Sequence, residues 1–97
     1  DTLRQFVAKG MTSHAESMRA EIEFARANPA CGGFMNWMYS DIWPSATWAV
    51  VDYYCEPKQA YYQMKRSYAP IVVTYVQNED KRLQLVYGRR NIRNADA

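Results

Sequence analysis

Apolar residues recur at helical spacing in the first third of the chain. They stand three and four residues apart, at Ala15, Met18, Ile22 and Ala25. A stripe of this kind predicts a helix that buries one face. Ser13 and Glu16 have the S-x-x-E spacing of a capping box, which predicts where the helix begins. The helix is expected to stop at Asn28-Pro29, because proline cannot continue a helix and disfavours helical geometry in the residue before it.

The segment before this helix has weaker signals. Residues 1–12 are expected to form a lead-in, with a helical turn over residues 3–8 that Gly10 breaks. His14 then follows the expected capping serine in the first turn of the helix, so its imidazole is predicted to be solvated and without a metal partner.

A short apolar run follows the glycine pair Gly32-Gly33. Residues 34–39 are apolar on both alternating faces except at Asn36. This pattern is typical of a strand covered on two sides, as in a parallel sheet or a barrel. Helix, glycine turn and buried strand together indicate the αβ half of an α/β repeat. Such a strand needs neighbours, and we expect them from the remainder of a larger polypeptide or from another copy of the chain.

A loop and a second helix follow the predicted strand. Residues 40–47 are expected to be a loop, and residues 48–54 a further short extended segment. Glu56-Pro57 then opens a helix, with proline in the first turn, where its missing N–H costs nothing. Its apolar stripe consists of Ala60, Met64 and Tyr68. Because Ala69-Pro70 ends it, the helix is predicted over residues 57–68.

The pattern changes after Pro70. Residues 71–77 are β-branched and aromatic, and residues 82–87 alternate between polar and apolar side chains. A polar turn at residues 78–81 separates them, so the sequence predicts a β-hairpin. The change at Pro70 predicts a boundary between two domains, at residues 1–69 and 70–97.

Composition narrows the classes of function. Hydrophobic residues make up 48% of the chain and charged residues 23%, which is typical of a globular protein. The net charge of +2 is too small to indicate a nucleic-acid or membrane partner, and no apolar run reaches the roughly 18 residues that cross a bilayer. Cys31 and Cys55 form no metal-spaced pair, so neither a metal nor a cofactor is predicted. Free thiols are expected, although one disulfide between them fits the sequence.

Aromatic residues are unusually concentrated. The chain has eight Tyr and three Trp, and all but one of them lie between Trp37 and Tyr75. A core of this size can hardly bury so many large side chains. We therefore expect some of them to face a ligand pocket or another part of a larger structure.

Residues 32–70 hold an ordered series of tryptophan, proline and tyrosine residues. The segment reads GGFMNWMYSDIWPSATWAVVDYYCEPKQAYYQMKRSYAP. It resembles the pattern of glycoside hydrolase family 2, particularly the β-mannosidase-like branch. The matching residues are Gly33, Trp37, Asp41, Trp43, Pro44, Trp48, Asp52, Tyr53, Tyr54, Pro57, Lys58, Tyr61 and Tyr62. Because the order is kept across the middle of the chain, the resemblance is more specific than any short motif.

The resemblance implies a fold and an activity. The chain would be an α+β piece of a larger enzyme, the C-terminal βα portion of a (β/α)8 TIM barrel over residues 1–69. Residues 34–39 would be the eighth barrel strand and residues 57–68 the eighth helix. The hairpin within residues 70–97 would begin an Ig-like β-sandwich. The implied activity is that of a retaining exo-β-glycosidase, which removes terminal β-linked sugars from a carbohydrate substrate.

The resemblance also implies which residues contact the sugar. Active sites of such barrels lie at the carboxyl ends of the strands, and the implied contacts are Trp37, Tyr39, Asp41 and Trp43. An indole packs against the C–H face of a sugar ring, and a carboxylate accepts hydrogen bonds from its hydroxyls. Retaining hydrolysis needs two carboxyl groups roughly 5–5.5 Å apart, and the family's two glutamates lie on earlier strands outside this chain. We therefore expect a pocket wall without catalytic residues, inactive on its own.

Several residues keep a structural interpretation beside the functional one. Asp41 is either a sugar ligand or an acceptor within its loop. Trp48 is expected in the core, and Asp52 is expected to be structural. Cys55 stands where the family commonly has glycine, and it is strained if the turn needs a positive φ. For the whole chain, the alternative is a non-catalytic carbohydrate-binding or interaction module, motivated by the clustered aromatic residues.

Overall fold

The computed structural model describes residues 2–77 and 83–89. In this part of the chain the elements are two helices followed by a β-hairpin. In chain order they are α1 (Leu3–Ala27), α2 (Gln59–Ser67), β1 (Ile71–Gln77) and β2 (Leu83–Arg89). The two helices pack against each other, and the hairpin lies beside α1.

Helix α1 begins eleven residues earlier than its sequence pattern predicts, counted from N-cap to N-cap. Its N-cap is Thr2, whose hydroxyl accepts from the backbone N–H of Gln5, while the Gln5 amide oxygen accepts from the N–H of Thr2 at 2.9 Å. This is a complete capping box, so the predicted start at Ser13 is wrong. Gly10 does not break the helix, because its cost of about 1 kcal/mol relative to alanine is small for so long an element. The predicted end is confirmed, with Asn28 as the C-cap.

Residues 34–39 form no strand ladder within the described part of the chain. The backbone pairings next to them are single bridges, Ser40 with Val51 in parallel and Val51 with Pro57 in antiparallel orientation. The segment nevertheless alternates, with even-numbered residues half-buried and odd-numbered residues exposed. A strand needs a neighbour to complete its hydrogen bonds. Among the described residues, Val51 alone pairs with the backbone of this run, and its N–H donates to the carbonyl of Tyr39 at 2.9 Å. The role of residues 34–39 in a barrel therefore stays a prediction.

Helix α2 is confirmed, with shifted ends. It runs over Gln59–Ser67, its N-cap is Lys58, and Pro57 precedes that cap rather than lying in the first turn. The predicted extended segment at residues 48–54 is wrong, because only Val51 forms bridges and the chain turns after Asp52. The turn is closed by the N–H of Cys55, which donates to the carbonyl of Asp52 at 3.0 Å.

The core lies between the two helices and the chain that precedes α2. The core cluster, as we call it, consists of Ala15, Met18, Ile22, Val50, Val51 and Ala60. Three of these residues belong to the predicted stripe of α1, so the buried face of that helix is confirmed. Phe34, Tyr61 and Met64 pack against the cluster while remaining partly exposed. Burying one large aliphatic side chain contributes about 1.5–3 kcal/mol, so a few residues here stabilise the fold.

The hairpin is confirmed and is attached to α1 by polar contacts. Ile71 pairs with Arg89 and Gln77 with Leu83 in an antiparallel register. The Arg26 guanidinium donates to the carbonyl of Ser67 at 2.7 Å and also to that of Ala69, which fixes the chain between α2 and β1. The predicted turn at residues 78–81 and the polar tail beyond the second strand lie outside the described residues.

Candidate functional site

The tryptophans of the middle segment are open to solvent. We call residues 37–48 the aromatic segment. Trp37 is 77% exposed and Trp43 is 72% exposed, and Tyr39 between them is also exposed. The prediction that Trp48 lies in the core is wrong, since it is 64% exposed and the core is closed by small residues before α2. Three of the four predicted sugar contacts are therefore free to meet a ligand.

Trp37 lines an open groove against α1. The groove has a volume of about 1180 Å³ and runs between the first half of α1, residues 34–37 and residues 45–48. Its apolar lining on the helix includes Phe6, Val7 and Met11, all of which are exposed. Grooves of this size that combine apolar walls with a few polar groups are the usual form of a ligand site.

His14 lies on the wall of the same groove. The predicted solvation of this imidazole is wrong, because its Nε2 atom is buried and has no hydrogen-bond partner among the described residues. The cause is the early start of α1, which places His14 in the middle of the helix rather than in an exposed first turn. An unpaired buried nitrogen is costly, because it has given up its hydrogen bond to water without a replacement.

Asp41 is buried at the base of the aromatic segment. One carboxylate oxygen accepts a hydrogen bond from the Thr47 hydroxyl, and the other accepts from the Lys58 ammonium at 3.0 Å. The Asp41 side chain is 1% exposed. These contacts show the loop-acceptor role that the sequence left open, while direct contact with a sugar stays a prediction.

Lys58 and Thr47 complete a small polar cluster around this carboxylate. The Lys58 ammonium also donates to the carbonyl of Thr47 at 3.3 Å, and the Thr47 hydroxyl accepts from the N–H of Ala49 at 3.1 Å. The hydrogen bond from Thr47, followed by that from Lys58, lowers the pKa of the Asp41 carboxyl below its ordinary value. Asp41 is therefore ionised at neutral pH and holds a positively charged partner. We call Asp41, Thr47 and Lys58 the polar cluster.

Tyr39 belongs to a row of aromatic rings that continues onto α2. Its ring meets the edge of Tyr61 at a centroid distance of 6.5 Å, and Tyr61 in turn meets Tyr62 at 5.3 Å. Edge-to-face contacts of this kind contribute about 0.5–1.5 kcal/mol beyond burial. The row supports one side of the Tyr39 ring and leaves the other side open.

The turn after the paired tyrosines confirms two expectations. Cys55 has a φ of 64°, the left-handed conformation that favours glycine, so its predicted strain is confirmed. Asp52 is structural, as expected, because one of its carboxylate oxygens accepts from the N–H groups of Tyr54 at 2.8 Å and Glu56 at 2.9 Å. This local bonding compensates for the strain and directs the chain into α2.

The described residues contain neither a disulfide nor a group of metal ligands. Cys31 and Cys55 are both free and exposed. Across residues 2–77 and 83–89, no three acidic, histidine or cysteine side chains gather as metal ligands would. Neither helix in that part of the chain is both long and apolar enough to cross a bilayer.

Lys58 is the site residue that sequence reasoning overlooked. It appears in the matching pattern, but its position suggested no role, because its partners are eleven and seventeen residues away in sequence. One signal was present. An N-cap position favours Ser, Thr, Asp or Asn, and lysine there adds positive charge at the positive end of the helix dipole. A residue so unsuited to its local position is expected to have a distant partner.

Part of the chain is similar to β-mannosidases. No protein-family model matches the chain. It is 46% identical over 43 residues to β-mannosidase B of Thermothelomyces thermophilus, and equally so to the β-mannosidase B proteins of Aspergillus niger and Aspergillus oryzae. The matched region is 44% of this chain, and it spans 5% of the length of each of those proteins. The chain is therefore related to β-mannosidases over part of its length, as the predicted resemblance to the β-mannosidase-like branch leads one to expect.

Proposed function

We propose that the aromatic segment forms part of the sugar-pocket wall of a retaining exo-β-glycosidase of β-mannosidase type. The observation that carries the proposal is the alternation of residues 34–39. Met35, Trp37 and Tyr39 are exposed, while Asn36 and Met38 between them are half-buried. Two aromatic rings within three residues, those of Trp37 and Tyr39, are thus open to contact, and exposed rings of this kind pack on the C–H face of a sugar.

The roles of the proposed contacts follow from their surroundings. Trp37 and Trp43 present open rings, and Tyr39 offers a ring and a hydroxyl. Asp41, whose oxygens are held by its neighbours, keeps the loop in shape. In this proposal the two carboxyl groups that break the glycosidic bond come from another part of the enzyme, and the apolar side of α1 packs against that part. The chain alone is then inactive.

An exchange of segments tests the proposal. Residues 32–70 of this chain would replace the corresponding segment of Aspergillus niger β-mannosidase B, and turnover of an aryl β-mannoside would be measured. We expect the chimera to be active, and Trp37→Ala to lower kcat/KM at least about tenfold, because a stacking contact to the sugar is lost. The matched control is Tyr54→Ala, which removes another exposed aromatic ring outside the proposed wall.

Two outcomes would contradict the proposal. One is a chimera that is folded, by its thermal transition, but inactive. The other is a Trp37→Ala chimera with unchanged kcat/KM. Calorimetric titration of the 97-residue chain with a β-mannan oligosaccharide separates the alternative, since binding by the isolated chain would favour a carbohydrate-binding module.

A further inference from the structure

The loop that carries Trp43 is closed at its base by a few polar contacts. At its start, the N–H of Asp41 donates to the carbonyl of Val51 at 3.0 Å. At its end, the Thr47 hydroxyl donates to the Asp41 carboxylate, which joins the two ends directly. Between these ends the residues are exposed, Ile42 and Trp43 among them. The position of the Trp43 ring therefore depends on how firmly the base is held.

Lys58 contacts both ends of this loop and is itself the N-cap of α2. Its ammonium binds the Asp41 carboxylate at 3.0 Å and the Thr47 carbonyl at 3.3 Å, and its own N–H donates to the carbonyl of Val50 at 2.8 Å. The side chain is 18% exposed against 1% for Asp41, so the pair is largely shielded from water. Shielded ion pairs that are also hydrogen-bonded hold a more definite geometry than exposed ones.

The place of Lys58 in its helix points the same way. It is the N-cap of α2 and makes no side-chain capping bond, so the first turn lacks the stabilisation that a serine or aspartate provides. The charge is also unfavourable at this end of the helix dipole. Local preference thus opposes lysine at this position, and the stabilising contacts that its side chain makes are those to Asp41 and Thr47 in the loop. Departures from local preference of this kind concentrate at functional sites.

We propose that Lys58 is a positioning residue that fixes the loop of residues 41–47 on the start of α2 and so sets the position of the Trp43 indole. The positional claim concerns this chain alone. Its consequence for sugar binding rests on the proposed function. In the glycosidase, loss of Lys58 would misplace one wall of the pocket without removing any group that touches the sugar.

The positional claim is tested by the fluorescence of Trp43. In the 97-residue chain, Trp37→Phe and Trp48→Phe leave Trp43 as the single tryptophan. We expect Lys58→Met to lower the steady-state anisotropy of Trp43, and Lys58→Arg to retain it, because arginine keeps the charge and the donors. The control is Lys65→Met, the same replacement at an exposed position of α2, which should leave the anisotropy unchanged.

Because Lys58→Met could prevent the chain from folding, a second variant is needed that removes the ion pair as a whole. Lys58→Met leaves the Asp41 carboxylate buried without its cation, which is itself destabilising. Asp41→Asn with Lys58→Met removes both charges, and circular dichroism would confirm that the helices persist. Lowered Trp43 anisotropy in this folded double variant supports the proposal. Unchanged anisotropy in either folded variant overturns it, and so does loss of the helices in both, since the cluster would then maintain the whole fold.

The same replacements in the chimera separate this inference from the proposed function. If both are correct, Lys58→Met lowers kcat/KM by about ten- to a hundredfold, because a small misplacement of a binding group is costly, and Lys58→Arg restores most of it. If no chimera turns over substrate but the Trp43 anisotropy still falls in Lys58→Met, the proposed function fails and the positional claim stands. If Trp37→Ala abolishes turnover and Lys58→Met leaves both turnover and anisotropy unchanged, only the positional claim fails.

Discussion

The core cluster and the aromatic segment differ in how far their side chains are removed from water. In the core cluster, Ile22 and Val50 are fully enclosed by other residues of the chain. In the aromatic segment, larger side chains such as Trp37 and Trp43 have most of their surface open. Apolar area drives folding only where it leaves water. The residues of the core cluster therefore stabilise the fold, whereas the exposed tryptophans contribute little to stability and are available for contact with a ligand.

The polar cluster lies between these two regions and joins them. Asp41 and Thr47 belong to the aromatic segment, whereas Lys58 opens the helix that contributes Ala60 to the core cluster. The core cluster and α2 therefore support the polar cluster, and the aromatic segment that the polar cluster holds presents rings for contact. A site held in this manner keeps its geometry without needing its aromatic rings for stability.

The largest loss of stability is expected from a substitution in the core cluster. Ile22→Ala removes a fully enclosed side chain and leaves a cavity, so we expect the free energy of unfolding to fall by about 2–5 kcal/mol. Few side chains are buried in the part of the chain that the structure describes, so that loss is comparable with the whole stability of a small domain. Urea unfolding followed by circular dichroism would measure it.

The control for this prediction lies on the same helix. Phe6→Ala deletes a larger side chain that is 70% exposed, and its effect should stay within about 0.5 kcal/mol. A loss at Phe6 equal to that at Ile22 would show that the first half of α1 is packed in solution and would remove the contrast between the two regions.

A smaller loss of stability is expected from a substitution in the polar cluster, and this loss should depend on pH. The pKa of Asp41 is lowered in the folded chain, so this carboxylate stabilises the fold above its ordinary pKa of about 3.9. The contribution is lost as pH falls through the lower folded pKa. Asp41→Asn should therefore be less stable than wild type at pH 7, and the difference should shrink below about pH 4.

Urea unfolding at a series of pH values would check this dependence. Glu21→Gln, which removes the same charge at an exposed position of α1, serves as the control at pH 7 and should change stability by no more than about 0.5 kcal/mol. A gap between wild type and Asp41→Asn that is equally large at pH 2.5 and pH 7 would show that the carboxylate charge is not what stabilises the cluster.

Sequence reasoning succeeded where the information is local. The stripe of Ala15, Met18 and Ile22 repeats every three or four residues, and the hairpin follows from a change of period after Pro70. The strain at Cys55 was expected instead from the family resemblance, in which glycine is common at this turn. The start of α1 also has a local signal, since Thr2 and Gln5 have capping-box spacing, but Gly10 between them and the apolar stripe favours a break that the helix does not make.

What could not be predicted depends on contacts distant in sequence. The ion pair of Asp41 with Lys58 forms across seventeen residues, and no local pattern specifies it. The exposure of Trp48 likewise depends on what packs beside residues 48–51. Period and propensity describe one element at a time, so they identify aromatic residues without telling which of them the fold encloses.

The smallest effect on stability is expected at the ring proposed to meet a sugar. Trp43→Ala removes the largest kind of side chain, yet the ring is 72% exposed, so the free energy of unfolding should change by no more than about 0.5 kcal/mol. Urea unfolding of this variant, beside Ile22→Ala, is the measurement. A loss above about 1.5 kcal/mol would mean that the indole is packed, since burying such a side chain is worth that much. The ring would then belong to the fold. An unchanged stability leaves it free to bind, and this is the condition that any role in recognising a ligand requires.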